Sequence, residues 1–396
     1  MTKRLYYNDP YLRSFDATVT SVDRDGERPI VTLDQTAFYP TSGGQPFDTG
    51  TLGDARVVDV IDREDGTIAH VVEAGFWGTG DPIHGEIDWS RRFDHMQQHT
   101  GQHVLSAAFE RLFHVRTVSF HMGADASTID LARAVSDQEV AAAEAEANRI
   151  VWEDRSVDIR YASAEEAAAL PLRKESRREG TLRLIDVTGF DLSACGGTHV
   201  ARTGAIGIIA ISGWEKFKGG YRVEFLCGGR ALKQFGSWRD ITDAATRLLS
   251  IGAADLPSVI ERMQADAKEQ KRALAGLHNE LARCRADELA ATADNGLIVQ
   301  PVDADASGLK MLATAITSKP GLTVILFSAQ QPALVVVARS ADVTDVNAHK
   351  LLGALIAKYG GRGGGKPELA QGGGLVNFVI AQIKSEIVEL LRTNSV

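Results

Sequence analysis

The sequence predicts an α+β protein of several domains, and three features of the chain carry that prediction. Its 396 residues exceed the usual length of one domain. Short alternating apolar and polar runs fill the first part, and apolar residues recur at helical spacing further on. A heptad seam then precedes a last alternation of strands and helices. We expect a small β-barrel at 1–90, an α+β domain at 91–229, an antiparallel, coiled-coil-like helical hairpin at 230–294 and a glycine-rich α/β domain at 295–396.

Composition narrows the class of protein. No run approaches the length that crosses a membrane, and the first ten residues are polar and charged. The three cysteines, Cys195, Cys227 and Cys284, do not make a disulfide framework. We expect a cytoplasmic protein with no membrane partner. The net charge of -9 does not exclude RNA, because positive residues can be concentrated in one place.

The first part reads as strands separated by tight turns. Ala17–Val22 and Ile30–Leu33 alternate apolar and polar residues, and Asp-Gly and other glycine-rich turns divide such runs. The α+β part that follows should hold three helices, at 93–113, 137–153 and 163–170, and four strands, at 128–131, 182–187, 206–211 and 221–226.

Two short fragments in the α+β part supply metal ligands. His99 and His103 are four apart in a helical stretch, so both imidazoles leave one helix face. Cys195 and His199 are also four apart, but the two glycines between them favour a tight loop. Either pair alone would fit ordinary histidines and a buried cysteine. Together the pairs predict a tetrahedral site for one zinc ion per chain. His95 lies on the same helix face and could replace either helical ligand, though we favour a supporting or RNA-facing role.

A basic cluster lies shortly before the Cys195 loop. It consists of Arg173, Lys174, Arg177, Arg178 and Arg183, with only Glu175 and Glu179 opposed. A phosphate backbone near the metal would explain this placement, whereas the cluster alone is more typical of a solvated helix face with charge pairs.

The third part carries the heptad seam. Its members are Ile260, Met263, Ala267, Gln270, Leu274, Leu277, Leu281 and Cys284. A helical stretch at 231–250 precedes it, which predicts the hairpin, either packed on itself or used to form a homodimer.

The fourth part should contain helices at 309–317, 346–359 and 375–391 and strands at 323–327 and 333–338. Between its last two helices we expect a glycine-rich loop at 360–374, with Arg362 and Lys366, whose backbone amides approach a phosphate. It is not a Walker loop, since Pro367 follows Lys366. A flexible linker is the alternative.

These motifs together resemble the editing domain of alanyl-tRNA synthetase. The similar segments are His99-Thr-Gly-Gln-His103, Cys195-Gly-Gly-Thr-His199 and Lys218-Gly-Gly-Tyr-Arg-Val-Glu-Phe225. The glycine-rich motif Phe38–Gly50 is similar to one in the barrel before that domain, and 360–374 resembles the synthetase's C-terminal tRNA-binding domain. No stretch resembles the aminoacylation core. The chain therefore resembles a freestanding AlaX-type editing factor of the long form.

The resemblance implies a function in translation fidelity. It implies ATP-independent, zinc-dependent hydrolysis of the ester that joins a wrong amino acid, chiefly serine and perhaps glycine, to the tRNA for alanine. It implies that His99 and His103 are catalytic residues. The same two histidines would bind the metal together with Cys195 and His199. It places candidate contacts to the amino acid in the glycine-rich motif, at Thr41, Ser42, Gly43, Gly44 and Gln45, and at Ser119. We further expect Arg173, Lys174, Arg177 and Arg178 to meet tRNA phosphates, and Arg362 and Lys366 to hold a distant part of the tRNA.

Three questions stay open at this level. Four protein ligands make a closed zinc site, whereas a catalytic zinc keeps one position open. For a substrate to reach the zinc, either one of the four ligands is displaced or the metal expands its coordination. The alternative is that zinc only orients the substrate. A rival function is a tRNA-binding or recruitment module without catalysis. A second rival function is a phosphoesterase, because the C-terminal region also resembles a domain found in such enzymes. This chain lacks the Asp-His-His metal cluster that their catalysis requires.

Overall fold

The computed structural model describes residues 1–24, 27–173, 180–330 and 332–392. Two compact units make up the chain, Met1–Leu249 and Ser250–Val396. The mixed α+β, multidomain class is confirmed. The four-part division of the sequence stays a prediction. In the described ranges, no helix has the length and apolar character needed to cross a membrane.

A closed six-stranded barrel occupies the start of the first unit, as predicted. Around it the strands follow the order β2-β3-β7-β6-β5-β8. A short parallel pair, β1 (Lys3–Arg4) with β4 (Gln35–Thr36), lies outside this ring. The ring strands are β2 (Ser14–Asp23), β3 (Ile30–Leu33), β5 (Gly50–Leu52), β6 (Ala55–Asp62), β7 (Ile68–Val72) and β8 (Pro82–Ile87). Along β2, Phe15, Ala17 and Val19 are buried and their neighbours are exposed, which is the alternation that a filled barrel requires.

One long helix, α1 (Trp89–Phe113), forms the centre of the first unit. It begins where the Asp88 carboxylate accepts the amide of Arg91, and it ends at His114 in the left-handed conformation. Side chains are buried around most of its circumference, because α2 (Asp137–Trp152) and two sheets pack against it. The predicted helix at this position is confirmed.

Two antiparallel sheets enclose α1. The first has the order β14-β15-β10-β9 and the second the order β11-β12-β13. The strands are β9 (Thr117–Met122), β10 (Ser127–Leu131), β11 (Val157–Ala162), β12 (Leu182–Val187), β13 (Asp191–Ala194), β14 (Ile209–Phe217) and β15 (Gly220–Cys227). Two further helices are α3 (Ala164–Ala168) and α4 (Gly229–Leu249). The predicted strand at 206–211 is wrong at its start, because Thr203–Ile206 is a 3-10 turn and Gly207 has a positive φ of 82°.

The second unit is a sheet covered by helices on both faces. After α5 (Leu256–Ala290) the sheet has the order β16-β17-β18-β20-β19. Its strands are β16 (Leu297–Val302), β17 (Thr323–Ser328), β18 (Ala333–Arg339), β19 (Arg362–Gly365) and β20 (Leu369–Leu375). The helices are α6 (Ala306–Thr317), α7 (Ala348–Tyr359) and α8 (Ile380–Arg392). Along β17, Val324 and Leu326 pack in the cluster with α6, and Ile325 and Phe327 pack in the cluster with α7 and α8.

Two sequence expectations for this unit need correction. The segment at 360–374, expected as a loop, is the β-hairpin β19–β20, with Gly363 opposite Gly372. Glycine allows the two backbones to pack closely here, since a Cβ on Gly363 would lie 2.5 Å from the Gln371 carbonyl oxygen. The last helix begins at Ile380 rather than at 375.

The predicted helical hairpin needs two long helices. Both helices exist, but α4 belongs to the first unit and α5 to the second. Within the second unit, Ala286 near the end of α5 packs against Leu309 and Leu312 of α6. The pairing of α4 with α5 therefore stays a prediction.

Candidate metal centre

The four predicted ligands converge on one point. Helix α1 carries His99 and His103 one turn apart, and the loop after β13 brings in Cys195 and His199. Their ligand atoms all lie within 4.8 Å of one another. Cys195 Sγ is 3.4 Å from His99 Nε2 and 3.3 Å from His199 Nε2. Bonds of about 2.0–2.3 Å to a tetrahedral zinc would separate the donors by roughly 3.3–3.8 Å. The residues therefore fit a metal ion.

Each histidine has a partner on its outer ring nitrogen. His99 Nδ1 lies 2.8 Å from Gln45 Oε1, His103 Nδ1 lies 3.1 Å from Asp191 Oδ2, and His199 Nδ1 lies 3.2 Å from Thr100 Oγ1. Such partners hold the proton on Nδ1 and leave the Nε2 lone pair for a metal. This arrangement is typical of metal-binding histidines rather than of histidines that fill a core.

The electrostatics of the cluster suit a cation. Although burial opposes it, the adjacent His99 ring and the hydrogen bond from the protonated His103 hold the pKa of the Cys195 thiol well below its usual range. Burial lowers the pKa of His199 to about 3, which keeps that ring neutral. For His103, the hydrogen bond to Asp191 outweighs burial and raises the pKa to about 9. Metal binding at neutral pH would therefore release a proton from His103.

Glycine at position 197 makes room for a ligand. A Cβ there would lie 2.1 Å from His99 Cε1 and 2.4 Å from His99 Nδ1. The next glycine, Gly196, has space, since the nearest atom to its Cβ position is the Tyr7 hydroxyl oxygen at 3.6 Å. The two glycines of the Cys195 loop thus have different roles, and Gly197 is the one that the His99 ring requires.

The glycine-rich motif is anchored to α1 at two points. Arg92 donates to both carboxylate oxygens of Asp48 and to the carbonyls of Pro10 and Ala37, and both side chains of the ion pair are fully buried. The second anchor is Gln45, whose Oε1 accepts the Thr198 amide and faces His99, and whose Nε2 donates to Thr198 Oγ1. A bidentate pair and a saturated amide fix the motif beside the metal ligands.

The predicted substrate contacts of the glycine-rich motif differ in how far their polar groups are already used within the protein. Gln45 is fully buried with its amide committed, so it supports His99 instead of facing a substrate. The Thr41 hydroxyl accepts the Phe47 amide. The Ser42 hydroxyl makes no hydrogen bond with any described residue. Gly43 and Gly44 have positive φ values of 57° and 85°, and Gly44 lies against the backbone of Phe120, which contacts the His99 ring.

Ser119 is not brought to the cluster. Phe120 faces His99, and adjacent strand residues point to opposite faces of a sheet. Ser119 accordingly lies on the far face, where its hydroxyl donates to Asp130 and Arg222 holds the same carboxylate.

The basic cluster is also divided. Arg173 is not a free cation for phosphate, because it donates to Asp191 at 2.6 Å with 13% of its side chain exposed. Lys174, Arg177 and Arg178 lie outside the described residues. Arg362 and Lys366 are both exposed in the second unit, on the strand and the turn of the β19–β20 hairpin.

His95 does not join the ligand group. It is 3% exposed, which argues against an RNA-facing role, and its Nδ1 has no hydrogen-bond partner among the described residues. Burial lowers the pKa of His95 to about 3, so the ring is neutral.

Sequence reasoning did not identify the supporting roles. Asp191 belongs to no motif, Thr100 lies inside the His99–His103 fragment with no role of its own, and Arg183 is only one member of the basic cluster. Their contacts in the structure show what they support. One weak signal exists, since Thr100 directly follows a predicted ligand and Asp191 precedes another by four positions.

Comparison with known proteins agrees with the motifs. A family profile described as tRNA synthetases class II (A) matches residues 10–91, and one described as threonyl and alanyl tRNA synthetase second additional domain matches 182–224. A DHHA1 domain profile matches 294–392. A solved structure, the C-Ala domain from Aquifex aeolicus alanyl-tRNA synthetase, is 24% identical over 25% of this chain and 96% of that chain, with a TM-score of 0.24.

Curated relatives match along most of the chain. Alanine–tRNA ligase of Pyrococcus abyssi is 34% identical over 388 residues, and that of Methanothrix thermoacetophila is 36% identical over 392 residues. Each match covers 94% of this chain and 42% of the relative, so the chain spans about two fifths of their length.

By these matches the chain is related to alanine–tRNA ligases along 94% of its length. The chain is an AlaX-like homologue of the editing and C-terminal domains of alanyl-tRNA synthetase, which confirms the resemblance read from its motifs.

Proposed function

We propose that the protein is an aminoacyl-tRNA hydrolase that removes a wrong amino acid, chiefly serine and secondarily glycine, from the tRNA for alanine. The observation that carries this proposal is the buried His99–His103–Cys195–His199 cluster, set against the glycine-rich motif in a chain related to alanine–tRNA ligases. The reaction needs no ATP, because ester hydrolysis is downhill in water. A cytoplasmic location belongs to the same proposal.

The metal is taken to be zinc, one ion per chain, because thiolate and imidazole are both ligands that zinc takes in tetrahedral sites. When bound, zinc would polarise the ester carbonyl and favour a reactive water. Gln45, Asp191 and Thr100 orient the imidazoles, with Arg173 holding Asp191 from its other side. Their part is to keep the ligand geometry constant while substrate enters and leaves.

Selectivity for serine needs a polar group that alanine cannot satisfy. A synthetase pocket sized for alanine cannot strongly exclude a side chain that only adds a hydroxyl, so a second pocket must recognise that hydroxyl. Ser42 supports this role, since its own hydroxyl has no partner among the described residues and it belongs to the motif that Gln45 fastens to His99. Alanine would leave such a group unpaired, which costs binding energy.

The contacts to tRNA are proposed in two places. Lys174, Arg177 and Arg178 meet the phosphate backbone near the metal, and Arg362 and Lys366 hold a distant part of the RNA. The exposure of Arg362 and Lys366 supports the second contact. The pairing of α4 with α5, within one chain or in a homodimer, is a further part of the proposal.

Deacylation assays test the chemistry. Purified protein is mixed with seryl-, glycyl- and alanyl-charged tRNA for alanine, before and after chelation and after zinc is restored. We expect fast loss of serine, spared alanine, and loss of activity on chelation that zinc restores. His103→Ala should lose both metal and activity. His84→Ala is the matched control, because that histidine is an exposed barrel residue paired with Asp16.

Binding without release of any amino acid would replace this proposal by the recruitment-module alternative. Full activity in metal-free His103→Ala would remove zinc from the proposal.

The distant tRNA contact has its own test. The double variant Arg362→Ala/Lys366→Ala should bind tRNA several-fold more weakly. The slope of the logarithm of its affinity against the logarithm of the salt concentration should be smaller in magnitude by about one to two. The turnover rate at saturating tRNA should stay the same. Lys310→Ala/Lys350→Ala is the charge-matched control in the same unit. Equal affinity in both double variants would contradict the role of the hairpin.

A further inference from the structure

A group of two tyrosines and one arginine borders the accessible side of the metal centre. We name Tyr7, Tyr161 and Arg183 the tyrosine edge. The histidine ligands are at most 4% exposed, whereas Cys195 and Gly196 are half-buried, so solvent reaches the cluster from the Cys195 loop. Tyr7 lies at this point, with its hydroxyl oxygen 3.6 Å from the Cβ position of Gly196.

Arg183 joins this loop to the N-terminal segment. Its Nη1 donates to the carbonyls of Cys195 at 2.7 Å and Gly197 at 3.0 Å, and its Nε donates to the Tyr7 carbonyl at 2.9 Å. The guanidinium also lies over the Tyr7 ring, 5.4 Å from its centre. The metal loop and Tyr7 are therefore held as one surface.

The guanidinium of Arg183 is not fully used by the fold. The residue is 8% exposed, and it forms no ion pair within the part of the chain that the structure describes. Its Nη2 is buried and has no acceptor among the same residues. Burying a guanidinium N–H without an acceptor costs free energy, and the described part of the fold supplies no hydrogen bond that offsets this cost. A ligand rich in oxygen acceptors at this edge would complete its hydrogen bonds.

Tyr161 supplies an exposed aromatic face beside Arg183. The residue is 50% exposed, and its hydroxyl donates to Asn8 Oδ1 at 2.9 Å, which restrains the ring. Arg4 extends the basic character of the edge, since its Nη1 donates to the Tyr7 hydroxyl at 3.2 Å. Its charge is matched by Asp62.

Restrained aromatic rings with neighbouring guanidinium groups are the features that bind unpaired nucleotides. We propose that the tyrosine edge binds the unpaired 3′-terminal nucleotides of an RNA, with a base stacked on Tyr161 and the terminal ribose and phosphate near Tyr7 and Arg183. The occupant rests on the proposed function, because an acyl group on an RNA 3′ end can reach the cluster only with its last nucleotides beside it.

The test measures binding of uncharged RNA, so it does not depend on turnover. The probes are two RNA hairpins with the same stem, one blunt and one with four unpaired 3′ nucleotides, and the second carries 2-aminopurine at each unpaired position in turn. We expect wild type to prefer the overhang and to quench one 2-aminopurine by stacking. Tyr161→Ala should bind the overhang roughly tenfold more weakly and relieve the quenching. Tyr161→Trp should keep both.

The matched control is Trp152→Ala, which removes an aromatic side chain that is 73% exposed at the end of α2. It should bind both hairpins as wild type does. Equal binding of the two hairpins by wild type, or unchanged quenching in Tyr161→Ala, would overturn the tyrosine edge. A preserved overhang preference in a protein that releases no amino acid would instead refute the proposed hydrolase and leave this inference standing.

Discussion

Gln45 Oε1 lies 2.8 Å from His99 Nδ1, although the two residues are 54 positions apart. The same oxygen accepts the Thr198 amide, and the Gln45 amide nitrogen donates to Thr198 Oγ1. One fully buried side chain thus joins the glycine-rich motif, α1 and the Cys195 loop. A shift of the glycine-rich motif would therefore move the His99 ring, which is a candidate metal ligand.

Replacing Gln45 should weaken metal binding before it affects the fold. Gln45→Ala leaves His99 Nδ1 without its acceptor, and loss of such a partner typically reduces metal affinity about 10- to 100-fold. Zinc affinity measured by competition with a chromogenic chelator checks this. The matched control is Gln35→Ala, since Gln35 only donates to the Asp16 carbonyl at the barrel surface. Equal zinc affinity in both variants would contradict the supporting role of Gln45.

Adjacent glycines should respond differently to the same added methyl group. Gly197→Ala places a Cβ 2.1 Å from His99 Cε1, so the ring must move and the metal should be lost. Gly196→Ala meets nothing closer than 3.6 Å and should retain metal. Zinc content of the two purified variants is the measurement. A full zinc complement in Gly197→Ala would show that the ring can move without losing the site.

Asp191 should contribute to both stability and metal binding. Asp191→Asn removes the charge that pairs with His103 and Arg173, and breaking a buried ion pair costs about 3 kcal/mol or more of unfolding free energy. Denaturant unfolding and zinc content together check this. Asp186→Asn is the control, because Asp186 pairs with the largely exposed Arg160 and such pairs contribute about 1 kcal/mol or less. Similar losses in the two variants would contradict this prediction.

His70 should make the barrel less stable in acid. Its ring is fully buried between Thr36 Oγ1 and the Val31 carbonyl, and burial lowers its pKa from 6.5 to about 4. Below pH 6.5 the unfolded chain binds this proton and the folded chain does not. The neutral His70 ring therefore contributes about 3 kcal/mol to the free energy of unfolding. This contribution is fully present above pH 6.5 and is lost as the pH falls through about 4.

Unfolding free energies of wild type and His70→Gln, measured from pH 7 to pH 4, isolate this effect. The difference between the two proteins should shrink as pH falls, because only wild type loses this contribution. A constant difference would show that His70 is not the group that titrates.

Much of the site follows from short-range patterns. A four-residue spacing in a helical stretch places His99 and His103 on one face whatever surrounds them, and alternation predicts strands such as β3 at their exact bounds. Strand register is harder to predict from the sequence, since a shift of one residue moves every side chain of a strand to the other face of the sheet. The sequence predicts Ser119 at the substrate, yet its neighbour Phe120 is the residue that contacts His99.

Residue type and local spacing are enough to predict the four candidate metal ligands, the barrel and the family resemblance. The tertiary structure is needed to show that Gln45 and Asp191 support the histidines, that Arg173 pairs with a carboxylate, and that the glycine-rich segment at 360–374 is a hairpin. These roles depend on which distant groups packing brings within about 3 Å, the length of a hydrogen bond. Local periodicity carries no information about such long-range contacts.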